Sequence, residues 1–167
     1  DSEQKIFFMR VEWTLDDFNI PREDIGAHFS SVVAKKHQMH YTIHFRDEKI
    51  RMALMVSKMD HCFNDILSRY KSGEWNIEVP LIISNHPDME DTANRFGIPY
   101  HYIPVSKQNK LEQEKKQLQL LSDHNADFVV LARYMQILSE NFIKDYSNRI
   151  INIHHSFLPA FPGAKPY

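Results

Sequence analysis

The chain has 167 residues, with 20 Lys and Arg against 22 Asp and Glu and a formal net charge of −2. That balance provides no basis for binding nucleic acid or a membrane surface. With 43% hydrophobic and 25% charged residues the composition is globular, and no apolar run approaches the ~20 residues of a membrane span. Cys62 is the sole cysteine, which excludes a disulfide scaffold and a Cys-rich zinc site and fits a reducing, cytoplasmic setting.

The opening DSEQKIFFMR does not have the layout of a secretory signal. IFFMRVEW (6–13) is apolar, aromatic and bounded by charge, which predicts a strand. PREDIGAHFSSVVAKKH (21–37) opens on Pro21, has Glu23 and Asp24 in its first turn and ends in Lys35 and Lys36, a pattern that suits a helix dipole. MHYTIHFR (39–46) alternates like a half-buried strand. Strand, helix and strand make about half of a small α/β sandwich, too little to close a core alone.

A different pattern begins near residues 47–50. KIRMALMVS (49–57) predicts a strand with two apolar faces, as in a parallel sheet. A helix is expected over 60–73, stopped by Gly73, then a strand over 78–85 and a short helix over 89–97 capped by Gly97. Strand 99–105 follows, and then helix 110–125 with Leu111, Leu118 and Leu121 turned inward. A strand centred on FVVLA, a helix over 139–148 with Ser139 as N-cap, and a strand IINIH (150–154) complete the series. Strands alternating with helices predict a doubly wound, mostly parallel α/β sheet.

Such sheets bind ligands at the carboxyl ends of their strands. Asn152 and His154 lie at the end of the last predicted strand, and their i, i+2 spacing turns both to one side. An amide that stabilises an oxyanion beside an imidazole that moves a proton would suit acyl chemistry. The competing reading is a turn before Pro159. Ser156 has no flanking nucleophile-elbow glycines. LARYMQILS (131–139) stays apolar where a loop should turn polar. It packs either as core or as a wall for a flat heterocycle. No glycine lies between Leu54 and Leu67, which disfavours a phosphate cradle at the first βα junction, although Ser57, Lys58 and Asn64 could hold a carboxylate or a water. The histidine pairs His37/His40 and His154/His155 lack the ligand company of a metal site, so no metal is expected.

LARYMQILS followed by NRIINIHHSFLPAFPGAKPY closely resembles the folate-dependent formyltransferase family, in the branch that carries an N-terminal ACT domain. The resemblance implies a partial ACT (ferredoxin-like) domain over 1–48 and a Rossmann-like formyltransferase domain over 49–167, whose later part is absent. It implies hydrolysis of 10-formyltetrahydrofolate to formate and tetrahydrofolate, in one-carbon metabolism and formate supply for purine synthesis. By the same resemblance Asn152 binds the formyl oxygen, His154 is the catalytic histidine, and Met135, Gln136, Ile137 and Leu138 hold the pterin, largely through backbone groups. Arg133 and His155 fall on the acceptor side. Folate is expected as substrate without a prosthetic group, with an amino-acid effector at the ACT part and a homo-oligomeric assembly.

A third family residue, an aspartate after the histidine, is expected beyond Tyr167, so the chain reads as the central piece of a longer protein. Two other readings compete. Glycinamide ribonucleotide formyltransferases have a glycine-rich phosphate loop that this sequence lacks, and usually a glycine where Arg133 stands, beside the amine substrate. A non-catalytic amino-acid sensor on a retired scaffold is disfavoured by the intact Asn152 and His154.

Overall fold

A computed structural model describes residues 7–153. They fall into two compact units, one through Arg46 and one from Asp47.

In the first unit, helical backbone runs from Arg22 to Ala34 as a 3-10 turn (Arg22–Asp24), α1 (Ile25–Phe29) and a π-helical turn (Ser30–Ala34). Gln38 ends it with φ +51°, and the Met39 N–H returns to the Ala34 carbonyl. The predicted helix therefore exists but is shorter and changes type. The strands expected over 6–13 and 39–46 are not formed among the described residues. Phe7 is 84% exposed, and Phe8, Met9 and Val11 also face outward. β-branched and aromatic side chains favour a strand only when a neighbouring strand pairs with the backbone and packs against that face. The ferredoxin-like pattern expected here is thus not seen in residues 7–46.

The second unit holds a parallel sheet. Strand β1 (Ile50–Val56) lies at its centre and pairs with β3 (Ile82–Ser84) on one side and β5 (Phe128–Ala132) on the other. Strands β4 (Tyr100–Tyr102) and β6 (Ile150–Ile153) flank these, giving the order β4-β3-β1-β5-β6. A two-residue strand β2 (Ile77–Glu78) pairs with the start of β1. The single strand expected over 78–85 is therefore split. Pro80 has no N–H for the ladder, and the pairing resumes through Leu54 N–H to the Leu81 carbonyl.

The helices are α2 (His61–Ser72), α3 (Glu90–Arg95), α4 (Lys110–Asp123) and α5 (Glu140–Asp145). Alternate β1 residues face opposite layers. Met52, Leu54 and Val56 pack with Phe63, Ile66 and Leu67 of α2 and Ala93 of α3. Ala53 and Met55 pack with Leu121 of α4 and Phe142 of α5. Apolar layers on both faces explain why β1 reads as one continuous hydrophobic run. Gly73 ends α2 at φ +72°, a conformation in which any Cβ is strained.

One expectation about α4 needs correction. Leu111 is 64% exposed; the residues that α4 buries are Glu114, Gln117 and Leu121. Leu118 and Leu121 do face the core as expected; what hydrophobicity alone does not show is that Glu114 and Gln117 share their buried face.

Candidate functional site

Strand order reverses direction between β1 and β5: the chain proceeds from β1 through β3 to β4, then returns to lay β5 on the other side of β1. In open α/β sheets, ligands bind at the carboxyl ends of strands that flank such a switch point. Here those ends are Ser57 after β1 and Arg133 after β5.

Ser57 is buried. Its hydroxyl donates to Asn85 Oδ1 at 2.6 Å and accepts the Met135 N–H at 3.1 Å. One side chain thus links the ends of β1 and β3 to the segment that follows β5. Ser57 is committed to the frame rather than free for a carboxylate or a water. Asn64 is engaged as well, donating from Nδ2 to Asp60 Oδ2 at 3.1 Å. Lys58 is exposed.

Arg133 leaves β5 in the left-handed region, with φ +54°. A non-glycine residue there costs of order 1 kcal/mol or more. Its Nη1 lies 3.4 Å from Nε2 of His61, the first residue of α2. Its Nε is buried and makes no hydrogen bond. The guanidinium thus spans the switch point and lies over the first βα junction.

Tyr134 turns inward, where Gln117 Nε2 donates to its hydroxyl at 2.9 Å. Burial pushes the phenol up to about 12, with the Gln117 hydrogen bond opposing and Glu114 adding to the rise. Met135–Leu138 then forms a loop. Ile137 is 85% exposed and Met135 is exposed, Gln136 is half-buried, and Leu138 packs on the core layer beneath. The N–H groups of Gln136, Ile137 and Leu138 make no hydrogen bond among the described residues. Ser139 closes the loop. Its N–H donates to Glu114 Oε1 at 3.0 Å, and its Oγ accepts the Phe142 N–H as the predicted N-cap of α5.

Asn152 lies on β6 in register with Leu131 of β5, one pair before the last (Ile153 with Ala132). It is exposed at the same end of the sheet as Arg133 and the loop. His154 and His155 lie outside the described residues. Sequence reasoning missed Asn85, Tyr134, Glu114 and Gln117. The last two had a signal: 114, 117 and 121 share one helix face, and that face is buried. Among the described residues no group of three or more His, Cys, Asp and Glu side chains could hold a metal ion.

Residues 50–167 match the Formyl transferase family. The chain belongs to that family. Over its whole length it is 52% identical to formyltetrahydrofolate deformylase of Synechocystis, covering 58% of that protein. The crystal structure of formyltetrahydrofolate deformylase from Burkholderia mallei matches 89% of this chain and 53% of its own, with a TM-score of 0.82 and 38% identity. Glycinamide ribonucleotide transformylase 1 from Geobacillus kaustophilus matches 71% of this chain and 65% of its own, with a TM-score of 0.64 and 27% identity. The chain spans a little over half the length of the curated relatives it matches. Membership in the formyl transferase family agrees with the parallel sheet and its doubly wound layers. No helix among the described residues is long and apolar enough to cross a membrane.

Proposed function

We propose that the protein containing this chain hydrolyses 10-formyltetrahydrofolate to formate and tetrahydrofolate. The observation that carries this reading is Arg133 held against His61 over the first βα junction. That junction has no glycine to expose backbone N–H groups to a phosphate, and the family resemblance puts Arg133 beside the position of a transferase's amine substrate. Water is left as the acceptor. The 52% identity to the Synechocystis deformylase supports the same choice.

In this mechanism the pterin lies on Met135–Leu138 and hydrogen-bonds the unsatisfied N–H groups of Gln136–Leu138. Water adds to the formyl carbon with loss of a proton. The Asn152 amide donates to the resulting oxyanion. His154 moves a proton to the folate N10 as the C–N10 bond breaks, and formate leaves. By the family resemblance, Arg133 and His155 are assigned to the acceptor side.

The reading extends to features supported by sequence resemblance alone. These are a partial ACT domain over 1–48 with an amino-acid effector, a homo-oligomer, a cytoplasmic location without a prosthetic group, and a role supplying formate for purine synthesis.

The test is formate release from 10-formyltetrahydrofolate by the complete protein and by two variants. His154→Ala and Asn152→Ala should each lower turnover by about 10²-fold or more, with the folate Kd little changed. Near-normal turnover in both variants would overturn the assignment.

A further inference from the structure

A buried glutamate on the inner face of a helix is costly unless it holds something in place. Glu114 is 5% exposed and Gln117 fully buried. On most helices facing a sheet these positions would be apolar. Both side chains point at the segment after β5: Glu114 Oε1 accepts the Ser139 N–H, and Gln117 Nε2 donates to the Tyr134 hydroxyl. From the other side, Ser57 accepts the Met135 N–H while its own proton goes to Asn85.

These contacts fall in a particular order along the chain. Residues 134, 135 and 139 are gripped by side chains from α4 and from the end of β1. Residues 136–138, between the grips, have N–H groups without hydrogen-bond partners among the described residues. A loop that recognises a ligand through its backbone must hold those N–H groups in one geometry before binding, because ordering them on binding would lower affinity. The loop's own side chains anchor it only in part: Leu138 packs on the core layer, while Ile137 is 85% exposed.

We propose that Ser57 and Glu114 are positioning residues that clamp the two ends of the Met135–Ser139 loop and thereby set folate affinity. Neither touches the reacting atoms. The proposal rests on the reading that this loop holds the pterin. Ser57 fixes the entry of the loop relative to β1 and β3, and Glu114 fixes its exit at the start of α5. Glu114 Oε1 faces the Ser139 N–H at 3.0 Å and, more distantly, Lys110 Nζ at 4.0 Å; the shorter contact, to a neutral backbone N–H, needs an acceptor oxygen more than a charge. Gln117 and Tyr134 support the same turn from beneath.

The experiment uses the complete protein with Glu114→Ala, Glu114→Gln and Ser57→Ala. Folate KM and kcat are measured for 10-formyltetrahydrofolate, and amide exchange is followed without ligand. Glu114→Ala and Ser57→Ala should raise KM about tenfold, the factor expected when a buried N–H loses its acceptor, and kcat should change less. Glu114→Gln, which keeps an acceptor oxygen, should stay within about threefold of the parent KM. Exchange should accelerate at Ser139 in Glu114→Ala and at Met135 in Ser57→Ala, with the β1 amides unchanged. Unchanged KM in both alanine variants overturns the proposal. So does a Glu114→Gln variant as impaired as Glu114→Ala, or a loss of protection that includes β1, which would make the role one of global stability. Should the parent release no formate, the functional reading fails while the exchange data still decide the clamp: acceleration confined to Ser139 and Met135 upholds it, and unchanged exchange removes it.

Discussion

Arg133 Nη1 stands 3.4 Å from His61 Nε2, across the point where the sheet reverses its strand order. The guanidinium has only donors to offer, so the tautomer of the His61 ring sets whether Nε2 accepts from it. The same arginine holds a left-handed backbone, φ +54°. Backbone strain of this kind clusters at functional sites.

Replacement at this site separates the backbone cost from the side chain. Arg133→Gly should be more stable than Arg133→Ala by about 1 kcal/mol, because glycine adopts φ > 0 without strain while alanine does not. Urea unfolding of the two variants checks this. Equal midpoints would mean that the turn relaxes to negative φ once the guanidinium is gone.

The loop after β5 should tolerate side-chain change better than backbone change. Gln136→Ala is expected to leave folate Kd nearly unchanged. Ile137→Pro should weaken it about tenfold or more, since proline removes an N–H and locks φ. Titration of folate binding distinguishes these. The reverse order would make recognition a property of the side chains.

His101 gives the second unit an acid-sensitive point. Burial lowers its pKa from the ordinary 6.5, and the neighbouring His124 lowers it further. The two rings meet edge-on with centroids 5.5 Å apart, and His101 Nε2 is buried without a hydrogen-bond partner. The folded state therefore binds this proton less readily than the unfolded chain. Stability from the neutral ring is fully present above pH 6.5 and is lost as the pH falls through the depressed folded value. His101→Gln should flatten the decline in urea midpoint on acidification below pH 6.5. An unchanged slope would assign the acid sensitivity to other groups.

The alternation of apolar strands with capped helices made the second unit legible, down to Ser139 as a cap and Gly73 as a stop. Periodicity works there because each strand pairs with at least one neighbour and each helix has a sheet beneath it. In the first unit the helix was legible and the two strands were not. Residues 7–13 and 39–46 have strand composition, but pairing decides whether strand composition becomes a strand, and pairing is not written in a segment. At the site, the chemistry-bearing types were visible as polar residues at strand ends. The clamp was not. Ser57 looked like a ligand-binding hydroxyl because its partners, Asn85 and the Met135 N–H, lie 28 and 78 positions away. Glu114 and Gln117 drew no expectation, because a buried polar face is the exception that hydrophobic patterning discards.

The choice of water as acceptor is tested most directly by the partition of the formyl group. The complete protein is given 10-formyltetrahydrofolate together with glycinamide ribonucleotide, and formate and formylated ribonucleotide are quantified in the same reaction. Formate should appear in step with tetrahydrofolate, at a rate the ribonucleotide does not alter, and formylated ribonucleotide should not form. Formylated ribonucleotide appearing as fast as formate would contradict the reading of Arg133 as the residue that excludes a phosphorylated amine.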